Sequence, residues 1–247
     1  MPCYGAVMEL PILFENDDLV AVDKPAGVMT HPDGVHTEPT VSDWFTARYP
    51  GSANVGETQR LKDGTEIMRP GVVHRLDRGT SGVLVLAKTP EAHAFLKSAF
   101  QERETHKTYL AFIYGVPKEP QGTIDFAIGR SRKDFRLRSA QPKAKGRMRE
   151  ALTRYRVLGD TGTHALLEVM PETGRTHQIR VHLKAIHHPV VCDPLYAPKR
   201  PCDLGFSRLG LHAVRLDLPT PGGDRLVIEA PLPEDLAAAA EKFPRND

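Results

Sequence analysis

The chain has 247 residues, 40% of them hydrophobic and 26% charged, and a formal net charge of +2, which fits one large globular domain or two lobes sharing a core. No stretch approaches the roughly 18 apolar residues that span a membrane, and residues 1–9 lack the basic-then-apolar layout of a secretory signal, so a cytoplasmic protein is expected. Cys3, Cys192 and Cys202 show neither a metal-ligand spacing nor a disulfide framework, and read as incidental thiols in a reducing compartment.

In chain order, Ile12-Leu13-Phe14 and Leu19-Val20-Ala21-Val22 are short apolar runs around Asn16-Asp17-Asp18, the pattern of a hairpin. Lys24-Pro25-Ala26-Gly27 opens a loop, and Ser42 to Tyr49 reads as a short helix capped by Ser42. The polar, Gly-containing stretch from Pro50 to Pro70 reads as a surface loop. Val72-Val73-His74 and Gly82 to Ala87 are expected as buried strands flanking a dense loop of Arg75, Asp77, Arg78, Thr80 and Ser81. Ala92, Phe95, Leu96, Ala99 and Phe100 recur at helical spacing, so Glu91 to Arg103 is expected to be a helix with Pro90 in its first turn. Thr108 to Val116 is β-forming.

From Arg130 to Arg154, ten Lys and Arg stand against Asp134 and Glu150 alone, which leaves the rest of the chain net acidic. Such asymmetry fits a local grip on an anionic partner such as RNA, or simply a solvated face. Ala151 to Leu158 and His164 to Met170 flank Gly159-Asp160-Thr161-Gly162, a second hairpin. Thr176 to Ile186 reads as a helix with Ile179, Leu183 and Ile186 on one face. Strands at Leu209 to Leu218 and Arg225 to Ala230 and a helix after Pro233 complete an α+β chain.

Two clusters could carry chemistry. His74-Arg75-Leu76-Asp77 ends a hydrophobic run, and a carboxylate between Arg75 and Arg78 suits an active site; spacing alone favours an ordinary Asp/Gly turn. In Thr173-Gly174-Arg175-Thr176-His177-Gln178-Ile179-Arg180, Arg180 lies about 100° around the helix from Ile179, so it can sit beside the core face or stay in solvent. The 11 histidines include His177 and His182, five apart, and His187-His188 without an H-E-x-x-H pattern; structural roles are expected and no metal site. Phosphate-binding, dinucleotide-binding and serine-nucleophile motifs are absent.

Taken together, these blocks resemble the RluA-type pseudouridine synthases. The resemblance runs in order from Leu13 to Pro233, through Lys24-Pro25-Ala26-Gly27 with His31-Pro32, His74-Arg75-Leu76-Asp77-Arg78-Gly79-Thr80-Ser81-Gly82, Lys107-Thr108-Tyr109-Leu110-Ala111, Gly174 to Leu183, and Leu211-His212-Ala213. The second and fourth blocks are highly specific. The resemblance implies a mixed, largely antiparallel sheet in two lobes around a central RNA-binding cleft, and a single catalytic domain over 1–247 without a separate N-terminal S4 domain. It implies that Asp77 is the catalytic aspartate, Tyr109 the residue that stacks on the target base, and Arg180 the partner of the aspartate. Arg75 would enter the RNA near the vacated position, and Ile179 and Leu211 would wall the base.

The implied reaction isomerises uridine to pseudouridine after base flipping, with no cofactor and no metal. The expected partner is ribosomal RNA, most plausibly of the large subunit, with tRNA as the alternative; no membrane and no obligate protein partner are implied. A noncatalytic RNA-binding protein on the same scaffold is a less favoured reading, because binding alone needs no carboxylate facing a polyanion. Arg132, Lys133, Arg136 and Arg138 are the expected backbone grip. Three departures from the family pattern touch turn geometry: His187 and Cys192 stand where Gly is usual, and Leu218-Pro219 replaces a common His-Pro pair.

Overall fold

The computed structural model describes residues 8–61, 64–132, 134, 137–141 and 144–244. The chain divides into two compact units, Met1–Thr105 with Asp217–Ala230, and His106–Leu216 with Pro231–Asp247.

In the first unit the expected hairpin forms as β1 (Ile12–Glu15) and β2 (Leu19–Lys24). The Asn16 carboxamide oxygen accepts the N–H groups of Asp18 and Leu19 at 3.0 and 2.9 Å, which closes the turn. Helix α1 (Val41–Arg48) is capped by Thr40, not Ser42: Thr40 Oγ1 accepts the Asp43 N–H while the Asp43 carboxylate accepts the Thr40 N–H. Ser42 is instead buried on the inner face.

The stretch expected as a loop contains a 3-10 turn at Pro50–Ser52 and an antiparallel hairpin of β3 (Gly56–Arg60) and β4 (Glu66–Pro70). No residue of β3 is buried, so the hairpin left no hydrophobic period to read. β5 (Ser81–Ala87) is buried along its whole length and pairs antiparallel with β2 from Leu19↔Ala87 to Lys24↔Gly82. Val72–His74 is not a strand. Val72 makes one isolated bridge to Leu86, and the His74 ring then replaces the backbone as acceptor, its Nε2 taking the Val85 N–H at 3.0 Å. α2 (Pro90–Gln101) starts at the Thr89 cap and buries Ala92, His93, Leu96 and Ala99.

The second unit begins with β6 (His106–Tyr114), followed by β7 (Gln121–Asp125). The basic segment is a small antiparallel sheet of β8 (Ile128–Arg130), β9 (Arg138–Ser139) and β10 (Lys145–Arg149), with β8 in the middle. The second predicted hairpin forms as β11 (Leu152–Asp160) and β12 (His164–Pro171), with a register shift between Val157 and Gly159. After α3 (Gln178–Ala185), β13 (Leu211–Pro219) completes the order β13-β6-β12-β11-β7. β13 crosses the boundary between the units, β14 (Arg225–Glu229) lies in the first, and α4 (Glu234–Ala240) returns to the second. The fold is thus α+β with largely antiparallel sheet, as expected.

Two of the three cysteines are not the incidental thiols expected. Cys192 and Cys202 form a disulfide, with Cα atoms 4.6 Å apart, inside the normal range for such a bond. Both lie in an irregular loop, where a separation of ten residues carries no periodic signal. Among the described residues, no helix is long and apolar enough to cross a membrane.

Candidate active site

Asp77 sits half-buried on the loop that enters β5, between exposed Arg75 and Arg78 and after buried Leu76. That loop is clasped from the chain segment following β2. Thr30 Oγ1 donates to the Leu76 carbonyl at 3.1 Å and accepts the Leu76 N–H at 3.3 Å, fixing both polar groups of the residue before the carboxylate. On the other side, the Gly27 N–H donates to the Arg78 carbonyl at 2.7 Å, and Arg78 Nε returns a bond to the Gly27 carbonyl at 2.9 Å. Gly27 holds φ at 91°, where a side chain would be strained. The Thr80 N–H closes the turn onto the Asp77 carbonyl at 3.0 Å.

Lys24 joins these clasps. Its side chain is wholly buried, and Nζ donates to the carbonyls of Pro25 (2.9 Å), Val28 (2.7 Å) and Arg78 (3.4 Å). The lysine of the weak Lys-Pro-Ala-Gly motif is therefore a strut between that loop and the Asp77 loop, and Arg78 carries the shared carbonyl.

Arg75 is aimed by His31. His31 Nδ1 lies 2.8 Å from the Pro32 carbonyl, so it carries the proton, and Nε2 accepts from Arg75 Nη1 at 3.2 Å. Burial lowers the His31 pKa, and the nearby Arg75 and Arg69 charges lower it further, which favours the neutral ring that this contact requires.

In the second unit, three residues that the resemblance places at the base come together. Ile179 and Leu211 are buried members of one apolar cluster with Ala111, Leu167 and Leu183, and Tyr109, half-buried on β6, packs against it. Tyr109 is thus a partly exposed aromatic ring packed against a buried apolar cluster. Arg180, the next residue of α3, is 5% exposed, which removes the reading of a solvent-facing helix arginine. Its Nε and Nη2 donate to the two carboxylate oxygens of Asp193 at 2.8 and 2.9 Å.

The loop before α3 is held by Gln178, whose partners no sequence motif signals. Its Nε2 donates to the Leu152 carbonyl and Thr153 Oγ1, both at 3.0 Å, while Oε1 accepts from Thr173 Oγ1 (2.6 Å) and the Arg175 N–H (3.0 Å). All four amide valences are used, so this side chain sets the start of α3. Both ring nitrogens of His182 have partners, Thr153 Oγ1 and the Phe126 carbonyl, each at 2.9 Å. Among the described residues, no group of three or more His, Cys, Asp or Glu converges as a ligand set.

Of the four cations expected to grip RNA, Arg132 is exposed and Arg138 lies in β9, whereas Lys133 and Arg136 fall outside the described residues. Arg130, Arg147 and Arg149 on the same small sheet are also exposed. The two departures at glycine positions have a plain physical basis. His187 and Cys192 both adopt left-handed backbone, φ 70° and 56°, which glycine takes without strain. His187 ends α3: its N–H reaches the Lys184 carbonyl and the His188 N–H reaches the Leu183 carbonyl, the paired bonds that close a helix through a left-handed residue.

Residues 18–185 match the family model of RNA pseudouridylate synthases, more than half of the chain. An uncharacterised RNA pseudouridine synthase of Synechocystis is 40% identical over 225 residues, 91% of this chain and 66% of that protein; the chain thus spans just under two thirds of this relative's length. The ribosomal large subunit pseudouridine synthase D of Xanthomonas campestris is 37% identical over 94% of this chain and 70% of its own. Among solved structures, human RNA pseudouridylate synthase domain containing 1 superposes with a TM-score of 0.73 at 27% identity, covering 98% of this chain and 91% of that one.

Proposed function

Because the chain belongs to the RNA pseudouridylate synthase family, we propose that it isomerises specific uridines of large-subunit ribosomal RNA to pseudouridine, with Asp77 as the catalytic carboxylate. The observation that carries this reading is the meeting of Tyr109, Ile179 and Leu211 at one apolar cluster beside the buried Arg180. An apolar wall with an adjacent fixed cation suits a planar, polar-edged base, and nothing in ordinary core packing calls for the cation.

The reaction breaks the bond between N1 of uracil and C1′, turns the base, and forms a bond from C5 to C1′, with the C5 proton released and N1 protonated. No electron is gained or lost. The target base must leave its stack, at a cost of a few kcal/mol. Stacking on Tyr109 would return about 1–3 kcal/mol of it. Asp77 acts at the sugar or the base while Arg180 balances its charge, and Arg75, braced by His31, enters the gap left in the RNA. The basic segment that holds Arg132, Lys133, Arg136 and Arg138 grips phosphates. A single catalytic domain with RNA in a cleft between lobes belongs to the same proposal. The large-subunit substrate is favoured over tRNA by the relatives named for that RNA.

Asp77→Asn keeps the size of the side chain and removes its charge. Tritium release from C5-labelled uridine in RNA should vanish in this variant, with RNA affinity held within about an order of magnitude, roughly 1.4 kcal/mol. Mapping pseudouridine in total rRNA and tRNA with and without the gene should show a lost large-subunit position. Turnover by the Asn variant would end the assignment of Asp77, and a site lost from tRNA alone would replace the substrate.

A further inference from the structure

Arg180 is the only arginine among the described residues that is buried, and its carboxylate partner is buried with it, at 5% and 1% exposure. Taking both charges out of water costs free energy that an apolar pair of the same volume would not, so such a pair is weak evidence for stability. Its geometry suggests another use. Asp193 takes the guanidinium edge-on through Nε and Nη2, and Tyr196 lies under it with its ring centroid 5.1 Å from Cζ. One edge and one face of the guanidinium are thereby fixed.

The socket itself is braced. Asp193 Oδ1 also accepts the N–H groups of Leu195 and Tyr196 at 2.9 and 3.0 Å, and the Asp193 carbonyl accepts the Ala197 N–H at 2.9 Å. Just upstream, Val191 bonds to the Phe112 carbonyl of β6, and the Cys192 N–H reaches the Tyr114 hydroxyl. The Tyr196 hydroxyl meets His177 Nδ1 at 2.9 Å and accepts the Arg138 N–H of β9 at 2.9 Å. One side chain thus touches the guanidinium, the residue that caps α3, and a strand of the basic sheet.

We propose that Asp193 is the positioning residue for Arg180, presenting its guanidinium in one orientation over Tyr196, and that the Tyr196 hydroxyl ties this socket to the basic strand β9. This rests on the reading that Arg180 acts at the uridine, but the clamp can be tested apart from it. In wild-type protein, hydrogen exchange at Arg180 Nε–H, followed by nitrogen-15 NMR, should be at least about 10-fold slower than at exposed Arg154; equal rates would overturn the proposal without any variant. In Asp193→Asn that protection should be lost. The single-turnover rate per RNA-bound enzyme should fall by about 10- to 100-fold, while RNA affinity changes less than about threefold.

If Asp193 served stability alone, the variant would melt earlier yet turn over bound RNA at the wild-type rate, which refutes the positioning role. Tyr196→Phe keeps the ring and loses the hydroxyl. It should slow turnover by about three- to tenfold, and an unchanged rate would remove the tie to β9. Slow Arg180 exchange in a wild-type enzyme that forms no pseudouridine would instead sink the functional reading and leave the clamp standing.

Discussion

Replacing Lys24 with Met tests whether the Asp77 loop is held by a buried ammonium. The substitution keeps the length of the side chain and removes donors to three carbonyls, two of them at 2.9 and 2.7 Å and a longer one at 3.4 Å. A hydrogen bond to a charged group contributes about 1.5–3 kcal/mol, and each buried acceptor left without a donor costs about 1–3 kcal/mol. The desolvation of the ammonium, which Met avoids, offsets part of the loss. The longest bond is also the least missed, because the Gly27 N–H still serves the Arg78 carbonyl. A net loss of about 3–4 kcal/mol follows, large beside the roughly 5–15 kcal/mol that holds a typical domain. Urea denaturation gives the loss. Lys97→Met, which removes an exposed pair with Glu57, is the control and should cost about 1 kcal/mol or less. Turnover should fall too, by about 10-fold or more, since displacements near 1 Å can cost about 100-fold. A Lys24→Met protein as stable as the control and as active as wild type would refute the strut.

His31 and His182 are both buried, and burial lowers both pKa values. The unfolded chain then binds more protons than the folded one below the ordinary histidine value near 6.5, so their stability contribution is full above about pH 6.5 and is lost as pH falls towards the folded-state values, with a slope of up to about 1.4 kcal/mol per pH unit for each. Urea titrations between pH 8 and 5 should show that slope, smaller in His182→Gln; equal slopes would show that His182 titrates alike in both states. For the basic segment, changing Arg132, Lys133, Arg136 and Arg138 together to Gln should weaken binding of unrelated RNAs alike and flatten the salt dependence of log affinity by up to about 3. An unchanged slope would return these residues to the role of a solvated face.

The elements legible in the sequence were those whose burial imposes a period. β5 appeared as an unbroken apolar run, α2 and α3 through their inward faces, and β11–β12 through a Gly-rich turn. The polar hairpin β3–β4 and the small basic sheet bury too little to leave one. Thr40-x-x-Asp43 carries the signature of a capping box, which puts the cap two residues before the expected Ser42. Asp77, Tyr109 and Arg180, the proposed site residues, were legible only through the motifs that carry the family resemblance. The residues that hold them were not, because their partners are remote: Thr30 reaches Leu76 across 46 positions and Lys24 reaches Arg78 across 54. Asp193 directly follows Cys192 in the sequence, but only its approach to Arg180 gives it a role. The departures themselves were informative, since both glycine positions filled by His187 and Cys192 are left-handed.

The path of the chain between the two units bears on how the protein is made. The first unit lacks Asp217–Ala230 until those residues are synthesised, and the second lacks Pro231–Asp247, whose Leu236, Ala239 and Phe243 pack with Phe112 and Phe206. Arg225, which bonds to the Glu104 carbonyl and to Asp217, leaves the ribosome 121 residues after the former. At about 5–20 residues per second, the Asp77 loop waits several seconds or more on the ribosome before its unit can close. A nascent chain halted at residue 216 has all three motif residues, Asp77, Tyr109 and Arg180, and neither unit complete. Translation therefore delivers Asp77, Tyr109 and Arg180 before the segments that complete their units, first Asp217–Ala230 and then Pro231–Asp247.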